Sequence, residues 1–162
     1  MNALTVMNGP PSPANDYWAE YLTLLRRAFR EWTGRELLDG AGSLAEWAER
    51  LFHAPFVVLS HDTALDPVLT YGNLKVLELF ELSWAELIAM PSRFTAEAPD
   101  RVERARLLAE VATQGYIDNY SGVRISRTGR RFLIEQATVW NLTDGDGHLL
   151  GQAATFRDWQ YL

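Results

Sequence analysis

The sequence predicts an α+β domain: an antiparallel sheet of about five strands, short helices on one face, and a helical extension at the N-terminus. The last third of the chain reads as a meander of strands at 116–126 (YIDNYSGVRIS), 131–142 (RFLIEQATVWNL) and 149–159 (LLGQAATFRDW). The turns between them, RTGR at 127–130 and DGDG at 144–147, place glycine after a small polar residue, a hairpin signal. Ahead of the meander lie two short apolar runs and several short helices, so helices separate two groups of strands instead of alternating with them. No glycine-rich loop joins a strand to a helix, which leaves no nucleotide-binding fingerprint.

Residues 1–14 (MNALTVMNGPPSPA) carry a glycine and prolines without a period and read as a disordered lead. Asn15 or Asp16 caps the helix that follows, in an extension spanning 15–42. Its apolar positions Trp18, Tyr21, Leu22, Leu25, Phe29 and Trp32 share one stripe, and Gly34 and 39–42 end it. That stripe needs a covering surface, either the free face of the sheet or a second copy of the chain. Trp18, Leu22, Leu25, Phe29 and Trp32 are therefore the candidate homodimer interface.

The main domain is expected over 43–162. SLAE at 43–46 is a capping box that opens a helix to His53, and Pro55 stops it. FVVL at 56–59 and VLTY at 68–71 are strands around a turn at 62–66. Gly72 and Asn73 hand over to a short helix with Leu74, Leu77 and Phe80 on its apolar side, and Ser83 to Glu86 repeats the capping box. After a turn at 91–93, residues 99–114 form a longer helix with Val102, Ala105, Leu108 and Ala112 inward and Gly115 as its stop.

Composition narrows the function. A net charge of −6 argues against nucleic acid, whose phosphates require clustered positive charge. The absence of cysteine excludes disulfides, thiol catalysis, zinc–cysteine sites and a cysteinyl–flavin adduct. No apolar run approaches the ~18 residues of a membrane span, and no signal-peptide pattern opens the chain, so a soluble cytoplasmic protein is expected.

Alternation along the strands assigns candidate ligand contacts. Phe132, Ile134, Gln136, Thr138 and Trp140 share one side of the second run, Leu150, Gln152, Ala154 and Phe156 one side of the third, and Ile117, Asn119 and Ser121 one side of the first, with a bulge expected at Gly122. Asn119, Gln136, Thr138, Trp140 and Gln152 are expected to point into a cavity between sheet and helices, where a few polar groups among aromatic walls suit a small, partly planar ligand. The plainer alternative is a filled core holding a hydrogen-bonded glutamine or two.

Several motifs resemble a known family. PSR-TAE at 91–97, ER-RLL at 103–108, GYI-NYSGVRIS-GRRF across 115–132, VWNL at 139–142 and GQAATF at 151–156 are similar to the MEKHLA domain. The resemblance implies a PAS-like fold. In plants the domain ends class III homeodomain leucine-zipper proteins, where it is linked to control of dimerisation; in bacteria it occurs as a stand-alone protein, like this chain. It implies no catalytic residues, and any signalling would run through a homodimer or a regulatory partner protein. Ser92 and Arg93 fall in the PSR motif. Arg93 could clamp a ligand carboxylate, or else simply pair with a neighbouring Asp or Glu. None of His53, His61 and His148 lies on the helix that would hold a haem ligand in this fold, and none has metal spacing, so neither haem nor a metal is expected. DGDG lacks the closing glutamate of a calcium loop and reads as a turn. Noncovalent flavin stays open, because such sites carry no short motif.

The expected function is a PAS-like sensor that binds a small molecule and acts through dimer or partner contacts. The alternatives are an interaction module without a ligand, and a small isomerase-like enzyme using Glu135 or Asp118 buried in an apolar pocket as its base.

Overall fold

The computed structural model describes residues 9–162, so the expected lead at 1–14 lies partly outside the described residues. Chain order is α1 (Ala19–Thr33), α2 (Leu44–Phe52), β1 (Val57–His61), β2 (Leu69–Gly72), α3 (Leu74–Phe80), α4 (Trp84–Ala89), α5 (Ala98–Gln114), β3 (Tyr116–Ile125), β4 (Arg131–Thr143), β5 (Leu149–Phe156) and β6 (Asp158–Tyr161), with 3₁₀ turns at Pro13–Trp18 and Ser92–Thr95. The strands form one antiparallel sheet in the order β2-β1-β5-β4-β3, and β6 pairs with the first half of β4. The run expected as a single third strand is thus interrupted at Arg157.

Local chemistry places the helix starts where the sequence puts them. Ser43 Oγ accepts from Glu46 N at 3.1 Å, and Ser83 and Glu86 form a complete capping box. The first helix differs: the 3₁₀ turn precedes it, and Asp16, Tyr17 and Trp18 adopt left-handed backbone before α1 begins at Ala19. Asn73 caps α3 and does more, since its fully buried side chain also binds the end of α2 and the start of β1.

The apolar stripe of α1 covers the chain's own sheet. Leu22 and Leu25 are completely buried, Trp18 and Phe29 nearly so, and Phe29 meets Trp140 of β4 edge-on at 4.9 Å. Trp32 is partly exposed; its Nε1 donates to Asn141 O at 3.1 Å and its ring lies where a side chain on Gly115 would sit. Of the residues expected at a homodimer interface, Trp18, Leu22, Leu25 and Phe29 are therefore covered within one chain, while Trp32 keeps an exposed edge. Helices α3 and α5 lie on the inner face, with Phe80 against Phe132 at 5.2 Å. Helix α5 is turned from the expected orientation: Val102 is 78% exposed, Ala105 and Ala112 face solvent, and Leu107 and Val111 are the buried positions.

A hydroxyl triangle ties α1 to the sheet. Tyr21 Oη lies 2.7 Å from Ser60 Oγ and 2.9 Å from Thr70 Oγ1, and the two hydroxyls are 2.9 Å apart. Burial pushes the Tyr21 phenol from 10.0 up to about 12, and burial raises Tyr71 as well. A folded phenol that holds its proton more tightly than the unfolded one contributes stability that is complete below pH 10 and is lost as pH rises through about 12. Tyr21 alone should cost about 3 kcal/mol over that window. Urea unfolding measured between neutral pH and pH 12 checks this; a flat profile would show that α1 is not seated on the sheet through Tyr21.

Candidate functional site

One level of the sheet decides where side chains point. Ile117 pairs with Val139 and Tyr120 with Ala137, so β3 has an extra residue there, and Asn119 takes left-handed backbone (φ 55). Tyr120 pairs with Ala137 and Gly122 with Ile134, so β4 has its own extra residue, and Gln136 is likewise left-handed (φ 52). The bend at Arg157 between β5 and β6 completes the line. Each bulge inverts the alternation beyond it. Phe132 and Ile134 face inward as expected, but Thr138 and Trp140 then point outward beneath α1, and Val139 and Asn141 replace them on the inner face. The bulge expected at Gly122 sits instead at Asn119.

Of the expected ligand residues, only Gln152 lies at the inner cavity. Its Nε2 donates to Leu108 O and to Asn141 Oδ1, both at 3.1 Å, which ties α5 to the sheet. Asn119, Gln136 and Thr138 come together elsewhere, in a groove of about 500 Å³ on the outer face beside Arg35 and Arg157. Three of the polar groups there are matched to one another: Asp118 Oδ1 accepts from Arg35 Nη2 at 2.7 Å and from Thr138 Oγ1 at 2.6 Å. Arg93 is bound to Asp66 at 3.1 Å and stacks over Phe94, the plainer of its two readings. Ser92 is buried, with its Oγ unpartnered. Asp118 is exposed and Glu135 lies on the outer face, where Gln160 donates to it, so neither occupies the apolar pocket that a catalytic base would need.

The inner cavity is smaller, about 60 Å³, and lies between β1, β5, β3 and α5. Leu59, Leu107, Ile134 and Val139 form its apolar wall, and its polar side carries His61, Arg104, Tyr120 and Arg124. Arg124, 7% exposed, donates to Val123 O at 2.9 Å and to Tyr120 Oη at 3.1 Å. Tyr120 in turn donates its hydroxyl to Glu103 Oε2 at 2.6 Å. Burial, and then the neighbouring Arg124 charge, lower the Arg104 guanidinium to about 10. His61 is 9% exposed, and burial first and Arg104 second pull its pKa down. Its Nδ1 lies 2.8 Å from Asp62 O and so carries the proton, while Nε2 has no partner.

Sequence reasoning missed these residues for a physical reason. Arg104 lies on the inward side of α5, where periodicity looks for apolar residues, and Arg124 and Tyr120 follow the Asn119 bulge. A flavin does not fit the cavity as it stands: a tricyclic isoalloxazine is several times larger than 60 Å³. In the β4–β5 turn, ligand atoms of Asp144, Asp146 and His148 lie within 4.8 Å of one another, but Asp144 Oδ1 already accepts from the backbone of Asp146 and His148. Among the described residues no helix is long and apolar enough to cross a membrane.

Comparison with known proteins agrees with this architecture. The PAS domain of a Colwellia psychrerythraea protein superposes with a TM-score of 0.60 at 16% identity, over 71% of this chain and 95% of that one. An RNA-binding light-oxygen-voltage receptor gives 0.61 at 21% identity, over 74% of this chain and 34% of the receptor. In sequence, the homeobox-leucine zipper protein ATHB-9 of Arabidopsis thaliana is 28% identical across 99% of this chain, and ATHB-14 is 29% identical across 88%. The chain spans about a fifth of the length of these curated relatives. The model of the MEKHLA domain matches residues 19–161, from the first residue of α1 to the last of β6. With that match and a PAS-like sheet carrying its helices in the expected order, the chain belongs to the MEKHLA domain family.

Proposed function

We propose that the chain is a non-catalytic sensory domain that binds a small molecule between the sheet and α5 and passes the event on through contacts with a second copy or a regulatory partner. The observation that carries this reading is the inner cavity, where Arg104, Arg124, Tyr120 and His61 converge on a PAS-like sheet and His61 Nε2 is left without a partner. Helix α1 is the natural output element, because β4 and β5 separate it from the cavity by one layer of backbone. A ligand that shifts those strands would alter the seat of Phe29 and Trp32.

Native mass spectrometry of freshly purified full-length protein, with an absorbance spectrum and a thermal-shift panel of metabolites, tests this. A copurified mass or a saturable stabilisation is expected. A clean apo mass together with a silent panel would sink the reading and leave a ligand-free interaction module. That second reading has its own support in Leu65, Phe94 and Val102, all exposed, with the Arg93–Asp66 pair joining the segments of the first two and Arg101 Nε donating to Arg93 O beside the third. Light scattering would then be expected to show self-association or a stable partner complex.

A further inference from the structure

We propose that the inner cavity binds a small oxyanion, a carboxylate or a phosphate, between the guanidinium groups of Arg104 on α5 and Arg124 on β3. This deepens the ligand-binding reading and rests on it.

The charge balance at the cavity is incomplete. Arg104 makes no hydrogen bond or ion pair among the described residues, and Arg124 is bonded only to a backbone carbonyl and a phenol. The carboxylate beside Tyr120, Glu103, accepts from that phenol at 2.6 Å and pairs with Arg106 at 3.4 Å. Two like charges therefore line one poorly hydrated space without a counter-charge, an arrangement that is costly until an anion enters. Forked guanidinium donors match the two or three oxygens of a carboxylate or phosphate.

Size and the remaining polar atom refine the class. A cavity of about 60 Å³ has room for roughly four to six water-sized groups. That suits acetate, lactate or inorganic phosphate. The proton on His61 Nδ1 leaves Nε2 as a buried acceptor without a partner. A hydroxyl on the ligand would satisfy it, which favours a hydroxy acid over the bare carboxylate.

Isothermal titration calorimetry on the full chain tests the assignment, with lactate, acetate and inorganic phosphate at constant ionic strength and lactamide as the neutral counterpart. Saturable binding of at least one anion is expected, with little or none of lactamide. Lactate binding above acetate places the anion as an organic acid, and phosphate above both as an inorganic or esterified phosphate. Arg104→Met should weaken the bound anion at least about tenfold, while Arg35→Gln in the outer groove should leave it unchanged. Arg124→Gln should act like Arg104→Met; because Arg124 is buried and its variant can fail to fold, the half-buried Arg104 decides. If lactamide binds as well as lactate, or Arg104→Met leaves the affinity intact, the anion assignment falls and the ligand-binding reading stands. If no probe binds, the anion assignment falls; only a clean apo mass and a silent metabolite panel in addition would bring down the broader reading.

Discussion

Asn73→Ala should destabilise the domain by about 3–5 kcal/mol, since each buried backbone group left without a partner costs about 1–3 kcal/mol. Asn73 is completely buried, and its Nδ2 donates to Leu51 O at 3.1 Å and to Phe56 O at 2.7 Å. Its Oδ1 accepts from Val58 N at 3.2 Å and, more weakly, from Val76 N at 3.4 Å. One amide thus satisfies the end of α2, the connection into β1, the β1 backbone and the first turn of α3. Alanine removes both the donor and the acceptor and leaves a space that the surrounding backbone cannot close. Asn73→Asp is expected to be nearly as damaging, because it keeps the acceptor but turns a carboxylate toward two carbonyl oxygens. Urea denaturation of the three proteins measures this. A loss below about 1 kcal/mol for alanine would mean that water takes over the amide's bonds and that the site is less sealed than its burial implies.

Trp140→Ala should cost a similar amount, about 3–5 kcal/mol. Trp140 is among the largest fully buried side chains and fills the seam between β4 and α1. Its indole Nε1 is buried without a hydrogen-bond partner. Phenylalanine removes that unmatched donor while keeping most of the apolar contact, so Trp140→Phe is expected to cost less than half as much as alanine. The pair of variants separates packing from polar matching. Equal losses in both would mean that the indole N–H has a partner after all. In Trp140→Ala the protection of α1 amides against hydrogen exchange should fall more than that of β5, because the seam is lost while the β4–β5 ladder remains.

Most of the architecture was legible because it is written locally. Capping serines at 43 and 83 and the glycine turns at 127–130 and 144–147 act on neighbouring residues, and the structure keeps them. The apolar stripe of α1 was legible as a stripe, but its destination was not, since a sheet face and a second chain are equally good cover. The site was largely illegible. Asn119 and Gln136 carry no residue signature for an extra position in a strand, yet they decide which face Thr138 and Trp140 occupy. On α5 the valine at 102 is outside and the arginine at 104 is turned inward, so reading the helix by hydropathy picks the wrong side. In both places a long-range requirement, fitting three strands and a helix around one space, overrides the period of the segment itself.

The line of extra residues at Asn119, Gln136 and Arg157 works like a reading frame. Period-two alternation is a two-letter phase, and each of these positions shifts that phase by one on its own strand. Since all three shift at the same height, neighbouring strands stay in step on either side, and the sheet keeps a coherent inner face from β1 to β3. Loss of a single one would act as a frameshift: without Gln136, Phe132 and Ile134 would turn outward while Arg124 and Trp159 beside them stayed put. The three are therefore expected to come and go only together. An alignment that places a one-residue gap in one strand of this family should find its compensation in the adjacent strand, not further along the same one.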